Sequence, residues 1–198
     1  MLSLDEGKLL VKFAREVIEE YVRRRVRPKL PEVPEKLRKP MGVFVTLTEE
    51  DELRGCIGFP FPTLPLIKAV EDAAISSATR DPRFPPVTRE ELDKIIVEVS
   101  VLTEPELIKV KAPAEYPKHI EVGKDGLIVE WRGFEGLLLP QVAVEWGWDA
   151  EEFLSNTCIK AGLPPDCWLE KDVRVMKFTA QIFREKTPRG EVEEREIS

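Results

Sequence analysis

The sequence is poor in the residues from which cysteine scaffolds, metal sites and membrane spans are built. Its 198 residues include three cysteines and one histidine, and no apolar run approaches the roughly 18 residues that a membrane span needs. An odd cysteine count argues against a secreted disulfide scaffold, and Cys158 and Cys167 lack the C-x-x-C spacing and nearby histidine of a zinc site. The N-terminus turns acidic at Asp5 with no basic segment before an apolar one, so no signal peptide is expected. We therefore expect a cytoplasmic protein with no membrane partner and no metal.

Amide side chains are also scarce, whereas charged side chains are abundant. The chain has one Asn and two Gln, against 30 Lys and Arg and 37 Asp and Glu, and its net charge is −7. This acidic balance argues against a nucleic-acid partner, because phosphate binding needs a dense face of Lys and Arg. Few thermolabile amides and many ion-pairing residues indicate adaptation to high temperature. Since thermophile cytosol tolerates disulfides, a Cys158–Cys167 bond is a pairing to check.

Helical and strand periodicities alternate along the chain and predict an α+β fold. The capping-box pair Ser3 and Glu6 begins an amphipathic helix that runs to about Arg25, and Asp149 with Glu152 begins another. Because consecutive strands are joined by short loops, we expect antiparallel sheets flanked by helices. Alternating or β-branched runs predict the strands, which are residues 41–48, 53–59, 95–102, 126–131, 136–139 and 173–185.

The simplest partition of these elements gives two lobes. Residues 1–104 and 170–198 form a larger, discontinuous lobe whose sheet the long late strand completes, and residues 105–169 form a smaller inserted lobe. If few chain crossings join the lobes, they can hinge around a ligand.

The densest chemical cue is the hexapeptide Leu-Arg-Gly-Cys-Ile-Gly at residues 53–58. Side chains alternate along a strand, which places Arg54, Cys56 and Gly58 on one face. A guanidinium beside a thiol favours thiolate, and Gly55 and Gly58 leave open space where a ligand or another backbone can approach the sulfur. The pattern suits a nucleophile with a cation for an anionic substrate. The alternative is that Cys56 is a small buried hydrophobe, which is the commoner role of a free cysteine.

Polar residues elsewhere in the larger lobe complete the candidate site. Glu98 and Ser100 interrupt an otherwise apolar strand, and Glu98 is a candidate partner that orients Arg54. Arg83 lies in a proline-stiffened loop, where Asp81 either orients it or caps the preceding turn.

The smaller lobe offers weaker candidates. Gln141 stands where a strand runs into a helix, and it either hydrogen-bonds a ligand or caps that helix. A Cys–His dyad with His119 would depend wholly on a tertiary contact. No P-loop, dinucleotide-binding, serine-hydrolase or zinc-protease motif occurs, so the sequence assigns no cofactor.

The hexapeptide resembles the hallmark of the AMME critical-region protein family, which is named for a human syndrome of Alport nephropathy, midface hypoplasia and elliptocytosis. The chain is similar to a compact archaeal member without extra domains, and neither His119 nor Cys167 belongs to the family motifs. The likeness covers roughly residues 40–180, with further motifs at residues 81–86, 96–102, 136–142 and 158–163.

The resemblance implies two α+β lobes, each with an antiparallel sheet, and a cleft between them into which the hexapeptide side chains point. It implies no particular activity. Prokaryotic members often accompany a radical-SAM protein and a metal-dependent dioxygenase-like protein, which implies possible partners in a shared modification pathway.

Two functions are open from the sequence. The first is a cleft enzyme in which Cys56 is the nucleophile, Arg54 and Arg83 hold an anionic or carbonyl group, and Glu98 orients Arg54. The second is a non-catalytic binding module that holds a small molecule or a protein segment while Cys56 merely packs.

Overall fold

The computed structural model describes residues 1–197, which form two compact units. Unit 1 consists of Met1–Leu102 and Gln181–Glu196, and unit 2 consists of Thr103–Ala180 with Ile197. The units combine α-helices with antiparallel β-strand pairs, which confirms the predicted α+β class. Within residues 1–197, no helix is both long enough and apolar enough to span a membrane.

The described residues contain four α-helices and eight β-strands. The helices are α1 (Leu4–Arg24), α2 (Leu66–Thr79), α3 (Pro140–Trp146) and α4 (Ala150–Lys160). Short 3-10 helices cover Glu35–Arg38, Glu90–Asp93, Pro113–His119 and Cys167–Leu169. The strands are β1 (Gly42–Glu49), β2 (Glu52–Phe59), β3 (Ile95–Leu102), β4 (Glu106–Leu107), β5 (Asp125–Trp131), β6 (Phe134–Leu138), β7 (Arg174–Glu185) and β8 (Val192–Arg195).

Unit 1 contains a sheet with the strand order β2-β1-β3-β7, and β8 pairs with the C-terminal part of β7. The capping box of Ser3 and Glu6 begins α1 as predicted, because each side chain accepts the backbone N–H of the other residue. Helices α1 and α2 cover one face of the sheet, where alternate β1 and β3 residues are valines and leucines with no more than 3% of their surface exposed. The alternation leaves the polar residues of these strands on the opposite face.

A buried ion pair joins α1 to the sheet of unit 1. The Arg15 guanidinium donates Nε to Oε1 of Glu185 at 3.0 Å and Nη2 to Oε2 at 2.7 Å. Its remaining N–H groups reach the carbonyls of Leu92 and Ile95, while Glu185 also accepts the N–H of Val97. Every charged atom of this pair therefore has a partner, which a buried charge requires.

Unit 2 has the strand order β6-β5-β7, with β4 pairing on β7 as well. Helix α4 packs on β5 and β6, and Gly136 allows this because a Cβ there would lie 2.5 Å from the backbone N of Ala161. The capping box of Asp149 and Glu152 begins α4 as predicted. Strand β7 passes from unit 2 to unit 1 after Ala180, whereas the sequence partition assigned the whole strand to the larger lobe.

Cys158 and Cys167 form a disulfide in unit 2. The bond ties the end of α4 to the 3-10 helix at Cys167–Leu169, and both cysteines are buried in the core of the unit. The pairing that the sequence marked for checking is therefore present.

The conformation of the turn between β1 and β2 indicates a substitution that should stabilise the protein. Glu50 and Asp51 both have positive φ, at 52° and 63°, as a two-residue type I′ hairpin turn requires. Because a left-handed residue other than glycine costs about 1 kcal/mol, Asp51→Gly should raise the free energy of unfolding by about that amount. The measurement is the urea concentration at the midpoint of unfolding. Glu151→Gly, an exposed substitution in α4, is the control and should lower this midpoint. A lower midpoint for Asp51→Gly would contradict the prediction.

Candidate functional site

The polar face of unit 1 places Cys56 in a row with two polar residues. In the strand register, Thr46 of β1 lies opposite Cys56 of β2 and opposite Glu98 of β3. Residues directly opposite on neighbouring strands share a face, so all three lie together on the polar side of the sheet. The Sγ of Cys56 lies 3.3 Å from Oγ1 of Thr46, within hydrogen-bond distance. Thr46 is a neighbour of the thiol that the hexapeptide alone does not reveal.

A β-bulge determines the position of Arg54. Leu47 lies opposite Gly55, but the next residue of β1, Thr48, lies opposite Leu53, which leaves Arg54 as the extra residue on β2. A bulge bends its strand and redirects the side chain of the extra residue. The bulge interrupts the simple alternation from which the sequence places Arg54 on the face of Cys56.

The carboxylate that orients Arg54 is Glu91, not the predicted Glu98. Arg54 donates Nε to Oε1 of Glu91 at 2.9 Å and Nη2 to Oε2 at 3.1 Å, and Glu91 also accepts the N–H of Thr88. Although burial opposes the shift, these hydrogen bonds lower the pKa of Glu91. Glu98 instead lies 3.4 Å from Nη1 of Arg195. In the observed register Glu98 lies in the row of Thr46 and Cys56, and Arg54 lies two residues before Cys56 on β2.

Asp81 and Arg83 form a forked ion pair that binds the backbone of Cys56. Arg83 donates Nε to Oδ1 of Asp81 at 3.0 Å and Nη2 to Oδ2 at 2.8 Å. The N–H of Cys56 donates to Asp81 at 2.9 Å, and its carbonyl accepts Nη2 of Arg83 at 3.3 Å. The hydrogen bonds from Arg83 hold the pKa of Asp81 well below its usual range. The pair thus occupies the outer edge of β2 at Cys56, as a neighbouring strand would.

Phe84 lies between the two arginines. The Cζ atoms of Arg54 and Arg83 are 5.9 and 5.5 Å from the centre of its ring, within the range of a cation–π contact. Phe84 thus contacts both Arg54 and Arg83, and Arg83 in turn contacts the carbonyl of Cys56. We call Arg54, Arg83 and Phe84 the arginine cluster.

The surroundings of Cys56 raise the pKa of its thiol. Burial raises its pKa, and the opposing effects of the Thr46 hydrogen bond and the positive charge of Arg83 are smaller. The sequence predicted that Arg54 would lower this pKa, but the cation that acts on the thiol is Arg83, and burial outweighs it.

The two glycines of the hexapeptide make room for protein atoms. A Cβ on Gly55 would lie 2.2 Å from the carbonyl oxygen of Ser77 in α2. A Cβ on Gly58 would lie 2.2 Å from the carbonyl oxygen of Val43 and 2.5 Å from the Phe44 ring. The sequence left open whether a ligand or another backbone approaches these glycines. In the structure, another backbone lies close to both of them.

Three buried polar atoms without a partner lie on the strands of unit 1. In the described part of the chain four buried side-chain atoms lack one, and three of them, Oγ1 of Thr48, Nη1 of Arg54 and Oγ of Ser100, are in unit 1. Thr48 is two residues from Thr46, and Ser100 lies opposite Phe44, so both hydroxyls are on the face of Cys56. An unpaired buried polar group costs about 1–3 kcal/mol, so each of these atoms lowers the stability of the fold unless it gains a partner.

The remaining candidates lie in unit 2. Gln141 is the second residue of α3 and its side chain does not cap that helix, while its buried Oε1 is the fourth atom without a partner in residues 1–197. His119 ends a 3-10 helix, and its carbonyl accepts a hydrogen bond from Lys177. Among residues 1–197, no group of three or more His, Cys, Asp or Glu side chains could hold a metal ion.

Sequence reasoning missed Thr46, Phe84 and Glu91 as members of this site. The capping-box spacing from Thr88 to Glu91 is visible in the sequence and indicates a local role for the carboxylate. The fork with Arg54 depends on the bulge and on the path of the loop before β3, which no local pattern shows.

Comparisons with known proteins give consistent results. A family model described as AMMECR1 matches residues 11–183. A protein of Methanothermobacter thermautotrophicus is 62% identical over 93% of this chain and 96% of its own length, and one from Methanocaldococcus jannaschii is 55% identical over 100% and 98%. The crystal structure of an uncharacterised protein from Pyrococcus horikoshii superposes with a TM-score of 0.93 at 56% identity, over 97% of both chains.

Proposed function

The chain belongs to the AMMECR1 family, and we propose that it is a binding protein whose unit 1 holds a small ligand beside Cys56. In this proposal the arginine cluster and the hydroxyl of Thr48 donate hydrogen bonds to the ligand. Cys56 contacts the ligand as a neutral thiol. Asp81 and Glu91 hold the two guanidinium groups in place.

The observation that supports this proposal most strongly is the set of buried polar atoms without a partner. Three occur on neighbouring strands of one sheet, Thr48 on β1, Arg54 on β2 and Ser100 on β3. Native proteins rarely leave such groups unpaired, and sites for ligands are among the places where they do. A ligand with oxygen acceptors would supply a partner to Nη1 of Arg54 once the protein atoms that cover this nitrogen move aside.

The state of the thiol favours binding over nucleophilic catalysis. A cysteine nucleophile reacts as thiolate, and enzymes that use one lower its pKa with a nearby cation or helix N-terminus. Here burial has the larger effect and raises the pKa of Cys56. The enzyme with Cys56 as nucleophile is therefore the second candidate, supported by the positive charge of Arg83 near the sulfur.

Thiol reactivity over a range of pH distinguishes these two functions. The reagent is methyl methanethiosulfonate, which reacts with thiolate, applied with the Cys158–Cys167 disulfide intact. We expect Cys56 to reach its half-maximal rate at higher pH in the folded protein than in urea, because burial disfavours the charged form. Cys56→Ser is the control for labelling elsewhere. A half-maximal rate at lower pH in the folded protein would support the enzyme instead.

Ligand binding is tested by protection of the same thiol. The probe is a mixture of acetamide, acetate and inorganic phosphate, each at about 0.1 M because such small molecules bind weakly. We expect the mixture to slow modification of Cys56 in the folded protein beyond the effect of sodium chloride at equal ionic strength. An unchanged rate would overturn the proposed binding site.

A further inference from the structure

Two stacked tryptophans form an exposed aromatic surface on unit 2. Trp146, the last residue of α3, has 71% of its surface exposed. Its ring stacks on that of Trp148, with the ring centres 6.1 Å apart and the planes inclined by 14°. We propose that this pair, which we call the tryptophan platform, binds a segment of another protein through an Arg or Lys side chain of that segment. The proposal is independent of the binding site beside Cys56.

The tryptophan platform is held in place by the fold of unit 2. Trp148 packs against the hydrophobic core of the unit, so one ring of the pair is anchored. Between the rings, Gly147 has a left-handed φ of 66°, and its N–H donates to the carbonyls of Ala143 and Val144. The N–H of Trp148 also donates to the carbonyl of Ala143, at 2.9 Å. Because the backbone is already fixed, a partner that binds here loses little affinity to the ordering of the site.

The charge around the platform is negative. Residues 133–159 include five Asp or Glu and no Lys, Arg or His. Four of these acidic residues lie within a few positions of the two tryptophans, and none of the four forms an ion pair with any described residue. They are Glu145, Asp149, Glu151 and Glu152. Their uncompensated charges attract cationic side chains and repel the phosphates of a nucleic acid, which could otherwise stack a base on the rings.

The aromatic rings favour the same kind of group. The face of an indole ring carries partial negative charge and attracts a guanidinium or ammonium group within about 6 Å of its centre. Because Trp148 lies on one side of the Trp146 ring, the large exposed surface of Trp146 includes the opposite face. The carboxylates extend along the chain beside the rings, so they suit a segment with several cations better than one small cation.

Unit 2 already contains one such arrangement within its own chain. The Cζ of Arg132 lies 4.1 Å from the ring centre of Trp131, and Nε1 of Trp131 donates to Oδ1 of Asp172 at 2.9 Å. A tryptophan beside a carboxylate therefore binds a guanidinium in this unit. In the described part of the chain no Arg or Lys side chain contacts the Trp146 ring, which leaves this position to a cation from outside.

The experiment uses a short peptide of alternating Gly and Arg as its probe, with a matched peptide of alternating Gly and Glu. Binding is followed by NMR through the indole N–H resonances of the four tryptophans. The resonance of Trp146 is identified by its loss in Trp146→Leu. We expect the Arg peptide to shift this resonance with an affinity of about 1 mM, since exposed cation–π contacts are weak, and the Glu peptide to leave it unchanged.

Three variants separate the ring, the nearby carboxylates and the overall charge. Trp146→Leu keeps an apolar side chain without the ring, and it should weaken the Arg peptide about two- to fivefold, as measured on the amide resonance of Gly147. The double variant Glu145→Gln with Glu151→Gln should weaken it by a similar factor and reduce its dependence on salt. Glu32→Gln removes an exposed carboxylate of unit 1 and should not change the affinity, although it changes the net charge equally per residue.

Two kinds of result would overturn the proposal. An equal response to the Glu peptide, no response to either peptide, or an unchanged affinity in Trp146→Leu would show that the ring does not recognise cations. A shift of the Trp146 resonance when the protein is concentrated without peptide would assign the platform to a second copy of this chain instead of a basic segment of another protein.

Discussion

Replacing Arg15 with Met is expected to lower the free energy of unfolding by about 3–5 kcal/mol, because it leaves the buried carboxylate of Glu185 without its cation. Glu185 has 2% of its surface exposed, so water cannot replace the lost partner. The carbonyls of Leu92 and Ile95 lose their donors at the same time. The measurement is chemical unfolding in urea, followed by circular dichroism.

Two further variants test whether burial causes this loss. Arg24→Met removes an exposed ion pair with Glu20, and we expect a change below about 1 kcal/mol. The double variant Arg15→Met with Glu185→Leu should recover much of the stability, since an apolar pair of similar size avoids a buried charge. A loss of less than about 1 kcal/mol for Arg15→Met alone would show that the pair does not support the fold.

Reducing the Cys158–Cys167 disulfide is expected to lower the stability of the protein by about 3 kcal/mol. The cysteines are nine residues apart in sequence, and opening a loop of about ten residues restores that amount of chain entropy to the unfolded state. The measurement compares urea midpoints with and without dithiothreitol. The double variant Cys158→Ala with Cys167→Ala is the control, because reductant should not change its midpoint. If reductant leaves the natural protein unchanged as well, the disulfide does not contribute to stability.

Local sequence patterns account for most of the secondary structure. The capping boxes at Ser3 and Asp149 begin α1 and α4 where predicted, because the hydrogen bonds of a capping box involve residues three apart in the chain. Alternation predicted the apolar face of β3 for the same reason. Helix α2 has no such local signal, because it begins at Leu66 after Pro65 with no side-chain cap.

The family of the protein was also recognisable from the sequence, through the hexapeptide and the motifs that follow it. The comparisons confirm that membership. The functional interpretation of the same hexapeptide was less secure. A thiol and a guanidinium two residues apart suggested activation of Cys56, but the pKa of a thiol depends on the atoms that surround it in space.

By itself, then, the sequence determined the class of fold, the starts of the capped helices and the family. Only the tertiary structure decided that Arg54 pairs with Glu91, that Arg83 binds the backbone of Cys56, and that burial raises the pKa of the thiol. The physical reason is the range of the interactions. Capping and alternation act between residues a few positions apart, whereas burial, ion pairing and strand register join residues such as Arg54 and Glu91 that are distant in the chain.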